Sequence, residues 1–169
     1  MFRIKNLFAL LVWLSLPCWG QDSVLFGLDA RLSQIQRISP LSGVVEDPFT
    51  SPVLCRTEGA CGLAYSGYSP FFVDATDPEH RIYEFGPGGG AVWHSLPAPG
   101  SRVDGLAYDQ GELLALSFDE NRIYRIDPFD GTVLGHVALD VDIIGGLAAG
   151  GGMYYASRIR PPVVFAIDA

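Results

Sequence analysis

Beyond residue 5 the chain contains no lysine, and nine arginines stand against nineteen acidic residues; the formal net charge over all 169 residues is −8. A surface this acidic repels phosphate backbones and anionic headgroups, which argues against nucleic-acid and membrane-surface partners. Long apolar runs are also scarce. The one candidate, residues 7–19, is too short to cross a bilayer, which takes about 20 residues, and no second run could anchor the chain. Outside that run no segment longer than about ten residues combines a 3.6-residue apolar period with caps, so helices are not expected. Catalytic signatures are missing too. There is no Gly-x-Ser-x-Gly, and the glycine runs 88–90 and 150–152 lie between strand-like segments, without the strand-to-helix context of a phosphate cradle.

What the N-terminus does contain is a targeting pattern. Arg3 and Lys5 precede the apolar run, and Cys18 and Gly20 sit at −3 and −1 if cleavage falls before Gln21. Residues 1–20 therefore read as a cleaved signal peptide, and the chain as exported, to a periplasm or beyond. Lipid attachment at Cys18 fits poorly with Pro17 directly before it. Cys55 and Cys61 remain, six apart around a glycine, and in an oxidising compartment they are expected to form a structural disulfide. The alternative, a redox or metal pair, lacks both Cys-x-x-Cys spacing and a nearby histidine.

The remaining 149 residues, 21–169, are repetitive. Gly62-Leu63-Ala64-Tyr65 returns as Gly105-Leu106-Ala107-Tyr108 and as Gly146-Leu147-Ala148-Ala149. A second signature, Ile35-Gln36-Arg37-Ile38-Ser39-Pro40, returns at Ile82, at Ile123 and, in part, at Val164. Gly43, Gly90 and Gly131 each follow the signature proline by three residues. These registers define units near 23–54, 62–102, 105–143 and 146–169. Each unit reads as short strands joined by turn residues. In Pro128-Phe129-Asp130-Gly131 the proline presets φ and the glycine takes a left-handed position. An all-β chain with about forty residues per unit implies a β-propeller of four-stranded blades. The stretch 105–134 resembles the repeat of secreted bacterial propellers of the NHL, YVTN and gluconolactonase-like type, and is also similar to glutaminyl-cyclotransferase blades. That resemblance implies a fold and carries no catalytic residue with it.

Counting strands gives blades of three, four, four and three, an incomplete or open ring. Three explanations stand: a fragment of a larger propeller, self-association that completes the ring, or closure as a strained small ring.

Sites in such a fold are expected on the face carrying the second-to-third-strand loops. There Asp74, Asp77, Glu79 and His80 cluster, with Asp119, Glu120 and Asn121 on the next blade and Arg158 and Arg160 on the last. Clustered carboxylates suit a hard cation such as Ca2+, while a solvated acidic loop needs no cofactor at all. The two arginines suit an anionic ligand. His94 and His136 fall on outer strands, and the recurring aromatics Tyr65, Tyr108, Tyr124, Tyr154 and Phe165 suit packing between blades. The expected function is that of an exported, non-catalytic binding or interaction module. The alternative is a propeller enzyme, a lactonase-like hydrolase, lyase or cyclotransferase, with a metal or acidic site at the channel mouth.

Overall fold

Alternating apolar and polar residues, broken every few positions by Gly, Pro, Asn or Asp, can form only short strands and tight turns. The computed structural model has that form. It describes residues 25–29, 31–55, 61–143, 145–158 and 161–169; the expected leader over residues 1–20 lies outside these. Among the described residues there is no helix, hence none long and apolar enough to cross a membrane.

Among the described residues, fourteen strands form four antiparallel sheets of three, four, four and three strands, each laid down in chain order. Blade 1 holds β1 (Leu25–Asp29), β2 (Gln34–Ile38) and β3 (Val45–Thr50). Blade 2 holds β4 (Cys61–Tyr65), β5 (Pro70–Asp74), β6 (Arg81–Phe85) and β7 (Val92–Pro97). Blade 3 holds β8 (Val103–Asp109), β9 (Glu112–Ser117), β10 (Arg122–Ile126) and β11 (Val133–Ala138). Blade 4 holds β12 (Leu147–Gly150), β13 (Met153–Arg158) and β14 (Val163–Asp168). The strand count read from the sequence holds, blade by blade.

The turns follow their residues. Gln110 and Gly111 join β8 to β9 with φ of 49° and 89°, the two-residue turn whose twist matches an antiparallel pair. After each signature proline, Gly43, Gly90 and Gly131 take φ of 70°, 98° and 79°. The amide of Gly131 donates to the Asp127 carbonyl and that of Asp127 to the Thr132 carbonyl, both at 2.9 Å, closing the hairpin.

Apolar side chains are buried between blades. Phe71, Val73 and Ile82 of blade 2 meet Leu106, Leu113 and Ile126 of blade 3. Leu114, Leu116 and Ile123 of blade 3 meet Leu147, Tyr154 and Ala156 of blade 4. Ile35 of blade 1 packs with Phe72 and Phe85 of blade 2. The recurring tyrosines join this packing: Phe26 lies 4.5 Å from Tyr65, and Phe71 stacks on Tyr108 at 6.2 Å, centroid to centroid.

Strands β4, β8 and β12 lie side by side at the inner end of their blades, where the first glycine of each repeated motif decides how close they come. A Cβ on Gly62 would sit 2.9 Å from the Leu106 nitrogen, and one on Gly105 3.0 Å from the Gly145 carbonyl oxygen. Those partners are backbone, which cannot swing aside. The Cys55–Cys61 disulfide, with Cα atoms 6.0 Å apart, ties the connection from β3 to the start of β4, as the spacing suggested.

Two stability measurements check this account. Gly62→Ala and Gly105→Ala each overpack the inner strands and are expected to cost about 1–3 kcal/mol in urea unfolding. Gly135→Ala in β11, where an added Cβ meets nothing within 4 Å, is expected to stay within about 0.5 kcal/mol of the parent. Replacing both Cys55 and Cys61 with serine is expected to remove about 2 kcal/mol, the loop-closure term of so short a ring.

Candidate functional site

In an antiparallel blade, the loop after the second strand and the connection to the next blade open at the same end. Among the described residues, 75–80, 118–121 and 161–162 therefore share a face with 51–55, 98–102 and 139–143 of the connections between blades. Of the sequence-predicted residues that are described, Asp74 and Asp77 bond within their own loop, Asp119 and Asn121 to connections between blades, and Glu120 to a tyrosine of β10.

Asp74 and Asp77 are buried, at 2% and 4% exposure. Asp74 Oδ1 accepts from the Thr76 amide at 2.9 Å and its hydroxyl at 2.7 Å, an arrangement that folds the loop on itself. Asp77 Oδ2 accepts from the Tyr83 hydroxyl at 2.6 Å. Burial and the Asp77 carboxylate together push the Tyr83 pKa up to about 12. Glu79 and His80 are exposed, and His80 turns the chain at φ 49°. One blade on, Asp119 is exposed and accepts from the Ser101 hydroxyl at 3.0 Å. Glu120 Oε2 accepts from the Tyr124 hydroxyl, and that bond, followed by burial, raises the Tyr124 pKa. Asn121, at φ 50°, donates to Asp142 Oδ1 at 3.0 Å. Among the described residues no group of three or more His, Cys, Asp or Glu side chains is placed to hold a metal ion. Arg158 lays its guanidinium over the Phe165 ring at 5.2 Å; Arg160 lies outside the described residues. His94 and His136 are exposed on β7 and β11.

The most unusual chemistry of this face was not singled out from the sequence. Asp104 lies on β8 directly before the motif glycine, and its side chain is 3% exposed. Arg102 Nε donates to Asp104 Oδ1 at 2.9 Å, while Asp104 Oδ2 is buried without a hydrogen-bond partner. The pairing of β8 with β9 shifts between Val103 and Gly105, so Asp104 occupies a bulge opposite Ser117. Ser117 is fully buried, and its Oγ has no partner either. Arg102 is held from its other side by the Phe118 ring at 5.0 Å. A Cβ on Gly100 would lie 2.8 Å from Glu120 Oε1 and 3.1 Å from Ser117 Oγ, so the connection from blade 2 closes tightly over the place.

A signal for Asp104 did exist in the sequence. The three motifs are preceded by Cys61, Asp104 and Gly145, and only the third unit puts a charge at a position that the repeat confines to an inner strand.

Burial is the largest influence on the Asp104 carboxyl and raises its pKa, against the Arg102 hydrogen bond and charge, which lower it; the Asp119 charge adds to the rise. A carboxyl whose pKa is higher folded than unfolded stabilises the fold at low pH, and that contribution is lost as pH rises through the folded value. Asp104→Asn is therefore expected to melt above the parent at pH 7. The gap should close as pH falls below the usual carboxylate range, and melting curves across pH 3–8 would show it.

On the opposite face, between blades 3 and 4, a pocket of about 280 Å³ is lined by Asp109, Gln110, Glu112, Arg125, Tyr154 and Ala169. Two of its charged groups engage each other. Arg125 donates to both Glu112 oxygens at 2.5 and 2.7 Å, and that bond holds the Glu112 pKa down.

No protein-family model matches the chain, and no curated protein matches it. Solved structures do. The glutaminyl cyclase of Myxococcus xanthus is similar over 85% of this chain at 19% identity and a TM-score of 0.64. The virginiamycin B lyase of Staphylococcus aureus is similar over 89% at 12% identity and a TM-score of 0.52. The WD40 repeats of RRP9 are similar over 86% at 17% identity and a TM-score of 0.54. The chain spans 60%, 53% and 47% of those three chains. At such identities the likeness is one of fold, shared by two enzymes and a WD40 protein. With its four consecutive antiparallel blades and its sequence repeat, the chain is a β-propeller repeat protein.

Proposed function

We propose that the chain is an exported, non-catalytic propeller module that binds a small ligand at the inner end of blade 3. The observation that carries this reading is that two of the three buried side-chain oxygens without a partner among the described residues, Asp104 Oδ2 and Ser117 Oγ, meet at one bulge, the third being Asn121 Oδ1. A buried acceptor left without a donor costs about 1–3 kcal/mol, and such costs concentrate at sites that a partner completes. The ligand that offsets this cost brings hydrogen-bond donors, an amine or a hydroxyl group, to a carboxylate already oriented by Arg102. The exposed histidines and the disulfide-bonded cysteines favour binding over nucleophilic chemistry, because among the described residues no histidine is hydrogen-bonded to a serine, threonine or cysteine side chain. The disulfide is compatible with export.

A second reading, an enzyme acting at the same site, is favoured by one observation. Asp104 is a carboxyl whose pKa is raised by burial on the face where the loops converge, which suits a general acid. Lactonase-like hydrolysis, elimination and cyclotransfer all use such a group.

The test is a thermal-shift screen of the purified chain against small amines and polyols. Binding at a hundred times Kd stabilises by about 2.7 kcal/mol. The binding reading expects hits that Asp104→Asn abolishes and Asp77→Asn leaves intact, with the hit recovered unchanged. Hits indifferent to Asp104→Asn, or no hits at all, would refute the site. Conversion of a hit by the parent, lost in Asp104→Asn, would establish the enzyme reading instead.

A further inference from the structure

The repeat makes each blade present one face to the next, so equivalent residues can be compared for what covers them. In blade 2 the cross-strand pairs Ala64–Phe71 and Val73–Ile82 form that face, and in blade 3 the pairs Ala107–Leu114 and Leu116–Ile123 do. All are buried beneath the following blade: Phe71 is 3% exposed, Leu114 1%, and both isoleucines 0%. The same registers in blade 4 pair Ala148 with Tyr155 and Ser157 with Val164. There Tyr155 is 41% and Val164 68% exposed. Blade 4 thus carries the covering-seeking face of its neighbours in the open.

The complementary face is also exposed, on blade 1. Where blade 3 receives blade 2, an apolar pair Leu113–Ile126 flanks the small residue Ala115; where blade 4 receives blade 3, the pair Tyr154–Ile167 flanks Ala156. In blade 1 the matching register is Leu25–Ile38 beside Gly27, on the side away from blade 2. Leu25 is 55% exposed.

We infer that the two faces recognise each other between copies: blade 4 of one copy docks on blade 1 of a second through Tyr155, Val164, Leu25 and Ile38. The contact extends a packing already made three times within the chain, and it is heterologous, so copies form a ring where the rotation between them closes and an open array where it does not. The inference is independent of the ligand reading at Asp104, whose oxygens lie in blade 3.

Light scattering on the purified full chain tests it. The expected result is a mass of two or more copies, returned to that of a single copy by either Val164→Glu or Leu25→Glu. Both positions are exposed in the single chain, so circular dichroism and the melting temperature should be unchanged; serine at each position provides a milder variant if glutamate disturbs folding. Mixing the two glutamate variants leaves one intact face on each partner, and an open dimer is expected. A parent that stays monomeric at about 100 μM, or an assembly that both substitutions leave intact, would overturn the inference.

Discussion

The nitrogen of Leu106 lies where a side chain on Gly62 would have to go, and the carbonyl of Gly145 lies where one on Gly105 would. This approach of inner strands sets the spacing of the blades. Because the strands are so close at the inner end, the wider outer parts of consecutive sheets leave wedge-shaped gaps, which Phe71, Leu113, Leu114, Leu116, Ile123 and Ile126 fill. The interblade cores depend on a residue that has no Cβ, while the common direction of the loops follows from the antiparallel order of the strands.

The same crowding gives Asp104 its chemistry. A carboxylate one residue away from such a glycine cannot reach water, and the bulge opposite Ser117 leaves it one partner, Arg102. Asp74, at the end of β5, and Asp77, in the loop after it, are as deeply buried as Asp104 but have donors beside them. Asp74 and Asp77 accept hydrogen bonds from Thr76, Glu79 and Tyr83. The local supply of donors, not burial, therefore separates a carboxylate that organises its own loop from one left incompletely satisfied.

Much of this was legible beforehand. The repeat located the strands, and the Pro-x-x-Gly segments located hairpins whose glycines take positive φ. The cysteine spacing indicated the disulfide, and the polar character of the fourth strands placed His94 and His136 outside. The candidate site was read less well, because acidic density in a loop is visible in a sequence and hydrogen-bond satisfaction is not. Asp77 stands out in a string of carboxylates, yet its oxygens are engaged by Tyr83 and by the amide of Glu79. Asp104 stands alone between Val103 and Gly105, and the shortage of donors around it arises from residues on three different segments.

By itself, then, the sequence determined the strands, the turns and the blade as a unit, since period, turn chemistry and repetition are local properties of the chain. Only the tertiary structure decided which equivalent faces are covered and which buried oxygens lack a donor. Val164 and Ile123 occupy the same register in their blades, yet one is 68% exposed and the other 0%. That difference depends on what packs across the gap, and burial and hydrogen bonding are settled between segments distant in sequence.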